Sequence, residues 1–317
     1  MSGLATLFLL KSDLKVINLY YKNTLARLMK IYEKTPDPAV YFLAGSLPAE
    51  GFLHLRQLSL FGMVCHLEDN ILKDLAIKLL ENPLPSMKSV FLQIRDLCNL
   101  YHLPDALYLL RNPLPKNKFK SLCRSNVYEF WHNYLTSETS ALSSLMYLRP
   151  SYLSLMRPHP IWTSLNSNPY ESKAARIQAL FLTGRYRTEK LCRFWSSNSN
   201  GYCLQDTCLP LNIVEDLTHL LVHCPALNET RRRLLSFSYT LLSDMPLLGP
   251  ILDAYLFNSD NDDLTVQFLV DCSVLPLVIS CRQLLGNAVL EKLFKLTRTW
   301  CYSLHKSRCK GLGRPIS

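Results

Sequence analysis

One stretch constrains the chain more than any other: GYCLQDTCLPLNIVEDLTHLLVHCP, residues 201–225. Four residues separate Cys203 from Cys208, ten more precede His219, and four precede Cys224. Two cysteines in a turn-prone loop, followed by a histidine and a cysteine about one helical turn apart, have the spacing of zinc ligands. Asn200, Gly201 and Pro210 mark the loop. VEDLTHLLVHC reads as a short helix with Val214, Leu217, Leu221 and Leu220 on its apolar side. Pro225 disfavours helix at Cys224 and stops it there. Three thiolates and an imidazole fill a tetrahedron and leave no open position, which is the pattern of a structural Zn2+ site. His223, one turn from His219, is the rival fourth ligand; Cys224 is preferred because thiolate binds zinc well and Pro225 positions it. The competing reading is a group of reduced, buried cysteines packed as small hydrophobes. The clustering of three thiols with a histidine among polar and turn residues argues for the metal.

Around this stretch the chain reads as helical. Residues 13–34, about 52–67 and 71–80 carry apolar side chains at three- and four-residue spacing, with TPDP at 35–38 as a stop and Asp69 or Asn70 as an N-cap. DLAIKLLENPLP (74–85) is echoed by DALYLLRNPLP (105–115), two helices ended by the same four residues. Two copies are too few for a solenoid. A basic entry, Lys116, Lys118, Lys120 and Arg124, opens a helix whose aromatic stripe (Phe130, Trp131, Tyr134) reads as a core face in preference to a base-stacking one. Residues 149–170 are rich in Pro, Ser and Asn. They are expected to be non-helical and to connect an N-terminal helical region (1–148) to a second one (171–317) that carries the knuckle, about 201–225, and a basic C-terminal helix. In that second region a helix begins near Glu171 and Gly184 caps its end. VQFLVDCSVLPLVISC, broken by Asp271 and Pro276, reads as core helix and not as a membrane span. The expected fold is mainly α, a bundle-like array of helices with a small zinc knuckle inserted between them.

Charge narrows the partners. At 317 residues the chain holds one large or two ordinary domains. Its net charge of +10 is unevenly spread. From Lys292 onward there are seven basic residues (Lys292, Lys295, Arg298, Lys306, Arg308, Lys310 and Arg314) and no acid. That favours a polyanion, nucleic acid before a membrane surface, against the alternative of a solubilising tail. Two further clusters flank the knuckle: Arg185, Arg187, Lys190 and Arg193, interleaved with Tyr186, Phe194 and Trp195, and the run Arg231, Arg232, Arg233. Arginine in the first turns of a helix opposes the helix dipole, which suggests an anionic ligand there against the commoner alternative of solvated surface arginines. Together the clusters are expected to form a phosphate-binding face. Eleven cysteines, odd in number and scattered, fit no disulfide framework and imply reduced thiols in a cytoplasmic or nuclear setting. The N-terminal LATLFLL is short and lacks a basic flank, so it does not read as a signal peptide.

Catalytic signatures are missing. Asp262-Asp263, the only Asp-Asp pair, lies in a polar helix start and not in the apolar hairpin that presents carboxylates to metal ions. There is no phosphate-cradling Gly-rich loop, no HExxH and no nucleophile elbow. The chain reads as noncatalytic.

IQALFLTGRYRTEKLCRFWSSNSNGYC, followed by the second cysteine, EDLTHLLVHCPAL and RRRL, resembles the C-terminal segment of reverse transcriptases from LINE-type (non-LTR) retrotransposons. LAGSLPAEGFLHLRQLSLFGMVCHL, IRDLCNLYHLPDALYLL, SLMRPHPIW and LTRTWCYSLHKSR resemble phrases of the same region, so the likeness covers most of the chain. It implies a fragment downstream of the polymerase domain, without the fingers, palm or endonuclease, that binds the element's RNA or its target DNA. It also implies Cys203, Cys208, His219 and Cys224 as the zinc ligands, on spacings longer than those of the shorter knuckle forms. The alternative from another class is a zinc-stapled helical scaffold for protein partners.

Overall fold

The computed structural model describes residues 10–68, 70–83, 89–243, 245–257 and 260–315. Residues 4–9 of LATLFLL, Asp69 as an N-cap candidate and positions 84–85 of the first ENPLP lie outside them. Fifteen α-helices carry the described residues, which contain no strand. The first seven are α1 (Lys11–Leu28), α2 (Asp37–Ala44), α3 (Ala49–Cys65), α4 (Ile71–Glu81), α5 (Val90–Leu100), α6 (Ala106–Arg111) and α7 (Lys116–Ser140). The others are α8 (Pro160–Thr163), α9 (Pro169–Leu182), α10 (Glu189–Cys192), α11 (Asn228–Ser243), α12 (Gly249–Leu252), α13 (Asp262–Val270), α14 (Pro276–Leu285) and α15 (Ala288–Gly311). None is long and apolar enough to cross a membrane.

The helix boundaries follow local chemistry. Asn70, Ser89, Asp105, Asn168 and Asn261 each accept a backbone N–H of the following first turn, satisfying donors that the helix itself leaves free. Pro160, Pro169 and Pro276 occupy first-turn positions, where the missing N–H costs nothing. The echoed NPLP stops work alike: α4 and α6 end at Asn82 and Asn112, both pushed out of helical geometry by the following proline. Helix α1 ends earlier than its apolar spacing predicts, because Lys30 turns into the left-handed region at φ 55°. The apolar run breaks at Asp271 and Pro276, as its sequence predicts, and so is not one helix. It forms two helices, α13 and α14, separated by a 3-10 turn at Cys272–Val274 that the Asp271 carboxylate caps through the N–H and hydroxyl of Ser273.

Residues 149–170, expected to be non-helical, contain a 3-10 turn at Pro150–Tyr152 and the short α8, and they dock on both sides. The His159 N–H donates to the Leu43 carbonyl, 3.0 Å away. Gly45, at φ 61°, ends α2 where a side chain would collide with the Arg157 carbonyl. On the other side the fully buried His159 ring meets the Asp271 carboxylate at 3.2 Å, and Arg298 of α15 donates to the Ser164 carbonyl and the Glu171 carboxylate. One apolar core runs from Ala26 to Leu304. In it α3 packs on α7 and α1, while α15 packs on α9, α11, α13 and α14. The knuckle residues sit at the C-terminal end of α15.

Candidate metal centre

Two short backbone devices build the centre. On the loop side, Gly201 takes φ 87°, and Tyr202 pairs with Val214 in an isolated antiparallel bridge. The Cys203 N–H donates to Ile213 O at 2.8 Å, and the Glu215 N–H to Gly201 O at 3.0 Å. Cys208 follows on a turn closed by its N–H to Gln205 O, 2.8 Å. Val214, predicted to lie on the apolar side of a helix, is therefore part of the bridge and 39% exposed. Helix begins only at Leu217, with Asp216 Oδ1 accepting from the His219 N–H.

On the other side His219–His223 form one π-type turn, closed by the Cys224 N–H to His219 O. The sequence explains the need for it. His219 and Cys224 are five residues apart, and an α-helix turns too quickly to place i and i+5 together. The wider i→i+5 turn brings them onto one side. Cys224 then leaves the helix at ψ 114°, as the following Pro225 requires.

The result is a compact, buried Cys3His cluster. Cys203, Cys208, His219 and Cys224 are 0%, 0%, 5% and 1% exposed, and their ligand atoms all lie within 4.8 Å of one another. Cys203 Sγ is 4.0 Å from Cys224 Sγ, Cys208 Sγ is 3.7 Å from Cys224 Sγ and 3.6 Å from His219 Nε2. A tetrahedral metal with bonds of about 2.3 Å to sulfur and about 2.0–2.1 Å to nitrogen has edges of about 3.8 Å and about 3.6 Å, so these residues can hold a metal ion. Burial raises the Cys203 thiol and pushes Cys224 up to about 11, and it lowers His219. A divalent cation reverses that logic for the sulfurs, since it binds and stabilises thiolate. His223 stands outside the cluster, with Nε2 2.6 Å from Asp262 Oδ2 at the surface.

The cluster is fastened to α15 by ion pairs that charge counting did not reveal. Glu215, fully buried, accepts two hydrogen bonds from Arg308, Nε and Nη2 both at 2.7 Å, and one from the Glu189 N–H. Its Oε1 lies 4.0 Å from Cys203 Sγ. Burial alone would lower the Arg308 pKa; the bonds to Glu215 outweigh it and raise the value. Gln205 donates to the Arg308 carbonyl, and Arg314 pairs with Glu189 at 2.9 Å. Arg298 and Arg308 thus face inward, 2% and 3% exposed, and do not belong to the basic surface that the run of seven cations predicts. Helical spacing carried the signal: both fall on the stripe that includes Leu290, Phe294, Thr297, Cys301 and His305.

The flanking basic residues divide. Arg231 is half-buried and donates to the Cys224 carbonyl and Asn228 Oδ1. Burial lowers its pKa, with the Cys224 and Cys208 sulfurs opposing. Were a divalent ion bound, three thiolates would leave one net negative charge beside Arg231. Arg232 and Arg233, both exposed, pair with Glu229 at 3.1 and 2.9 Å. Arg185 is half-buried. Arg187 is exposed over the Tyr32 ring, Arg193 is exposed over Phe194, and Lys190 lies 3.2 Å from Asp216. Phe194 and Trp195 are 69% and 57% exposed.

Fold and site together define a helical protein with a buried Cys3His cluster that can hold a metal ion. Comparison with known proteins finds no matching family model, no matching curated protein and no matching solved structure.

Proposed function

We propose that this chain is a noncatalytic nucleic-acid-binding module, the C-terminal fragment of a LINE-type reverse transcriptase, organised by a structural zinc. Zinc suits a closed tetrahedral set of three thiolates and one imidazole, and it has no redox chemistry to expose the sulfurs to. Its work here is to hold the loop of Cys203 and Cys208 against the turn of His219 and Cys224. The eleven unpaired cysteines fit a reducing compartment, cytoplasmic or nuclear.

The observation that carries the binding reading is the surface beside the knuckle. Phe194 and Trp195 stand exposed next to Arg187, Arg193 and Lys190, and the Lys190 N–H is bonded to the Glu215 carbonyl at 3.2 Å. Exposed aromatics interleaved with cations stack bases and track phosphates of a single strand, RNA or DNA. Arg232 and Arg233 extend the positive surface, and Arg231 serves the cluster. Titration of RNA into the protein at several salt concentrations tests this. Arg187→Ala with Arg193→Ala flattens the log K against log [salt] slope by about 1.4, at about 0.7 per phosphate contact. An unchanged slope, or no binding at low salt, removes the reading.

A protein-binding scaffold has one observation in its favour: Val16, Leu19 and Tyr20 form an exposed apolar stripe on α1 at 68%, 58% and 74%. A protein partner captured in the absence of any nucleic-acid binding selects that reading.

A further inference from the structure

The start of α7 bears four basic residues, Lys116, Lys118, Lys120 and Arg124, all exposed. Lys116 and Lys118, in the first turn, oppose the helix dipole, while Lys120 and Arg124 lie beyond it and add only their own charge. Here nothing compensates: no acid lies in the first turn, Pro115 supplies no side-chain cap, and among the described residues none of the four forms an ion pair. This differs from Arg232 and Arg233, which share an ion pair with Glu229.

Three of these cations also rim a cavity of about 320 Å³ between α3 and α7. Its base is apolar, made by Leu55, Phe119 and Cys123, the exposed Met63 stands at its edge, and no acidic residue lines it. Gly62 lets the floor form, since a side chain there would collide with the Phe119 ring. Lys116, Lys120 and Arg124 follow at four-residue steps, about 6 Å apart along the axis, so they share one edge of the cavity.

We propose that this cavity binds a single-chain anionic amphiphile, with the hydrocarbon tail along the apolar lining, chiefly Leu55 and the exposed Met63 over the edge of Phe119, and the headgroup on the Lys116–Lys120–Arg124 row. The volume lies within the range of small-molecule sites, about 300–1,000 Å³. A nucleobase fits less well. It needs hydrogen-bond partners deep in the site, where the floor offers none, and a free aromatic face. Phe119 is 4% exposed, and Arg124 already covers the Tyr128 ring at 5.6 Å. A hydrocarbon tail needs neither, and an anionic head answers the uncompensated charge. This site lies apart from the knuckle surface, and it stands or falls independently of nucleic-acid binding there.

Calorimetric titration of the full chain with laurate below its micelle concentration tests the proposal. The expected result is saturable binding of one laurate per chain, weakened about tenfold or more by Lys120→Glu with Arg124→Glu, which removes two favourable charge contacts and adds two repulsions. Ser59→Phe, on the rim, fills the mouth and weakens binding without changing the basic row. Dodecyltrimethylammonium, with a tail of nearly the same length and opposite charge, shows no saturable binding. Laurate that fails to saturate, binding unchanged in either variant, equal binding of the cationic amphiphile, or displacement of laurate by single-stranded DNA overturns the proposal. Circular dichroism of each variant confirms that its helices are retained.

Discussion

The helices before residue 149 and those around the knuckle are both well packed, yet they hold together by different physics. In the first group the interior is nearly all neutral; the one buried lysine or arginine among its described residues, Lys22, sits at the edge and pairs with the exposed Asp37 at 3.4 Å. His54 Nδ1 lies 2.6 Å from the Tyr101 hydroxyl, Trp131 Nε1 donates to that hydroxyl at 3.1 Å, and Tyr101 and Phe130 meet edge-to-face at 5.2 Å. Around the knuckle the interior is charged: Glu215 with Arg308, Glu171 with Arg298, His159 with Asp271, and the Cys3His cluster. The neutral core needs only the chain. The charged one needs each partner in place, and the Cys3His cluster can take as a further partner a metal ion that the chain does not encode. Buried charges so matched specify a single arrangement, and breaking one leaves its mate desolvated.

Removing the metal separates the two regions most sharply. Structural zinc contributes about 10–16 kcal/mol in isolated zinc-finger peptides. Chelation is therefore expected to strip amide-exchange protection from residues 201–225 and the C-terminal end of α15 while leaving α3 and α7 protected. Uniform loss, or none, denies the contrast. Glu215→Gln comes next. It leaves Arg308 buried with half a partner, and the expected cost is about 3–5 kcal/mol, read as a fall in the denaturation midpoint of the knuckle region. A change under about 0.5 kcal/mol, the range of ordinary surface substitutions, shows that the pair is ornamental.

Tyr101→Phe is the matching probe of the neutral core. It deprives His54 and Trp131 of their common partner, at about 1–3 kcal/mol, with the loss confined to exchange protection in α3, α5 and α7. Shared by both regions is the effect of acid. Burial lowers His54 and His305 to about 4, one in each region. Both are neutral in the folded protein, while the unfolded chain takes up protons from about pH 6.5 downward. Their contribution is whole above that value and is lost as pH falls from about 6.5 to about 4. Mild acid should thus weaken both regions, whereas a chelator at neutral pH weakens one. Acid sensitivity restricted to the knuckle would show that His54 is not the neutral, buried group described.

Much of this was legible in the chain. Ligand spacing picked out Cys203, Cys208, His219 and Cys224, because metal ligands recur at short, regular intervals. Helices α3, α7 and α9 followed from apolar periodicity. The π turn did not, since periodicity assumes 3.6 residues per turn and the five-residue step from His219 to Cys224 breaks it. Nor did the roles of Arg231, Arg298 and Arg308. A list of charges cannot tell an arginine that waits for phosphate from one that meets Glu215 across 93 residues of chain. Position on the apolar stripe of α15 is the one local clue, and it outweighs charge for both Arg298 and Arg308.

Elemental analysis of the purified full chain reaches the central claim most directly. One zinc per chain, lost when Cys203→Ser and Cys208→Ser are made together, is the result expected of a four-ligand clasp. Protein free of metal after purification without chelator, or zinc retained at full stoichiometry in the double variant, would contradict it.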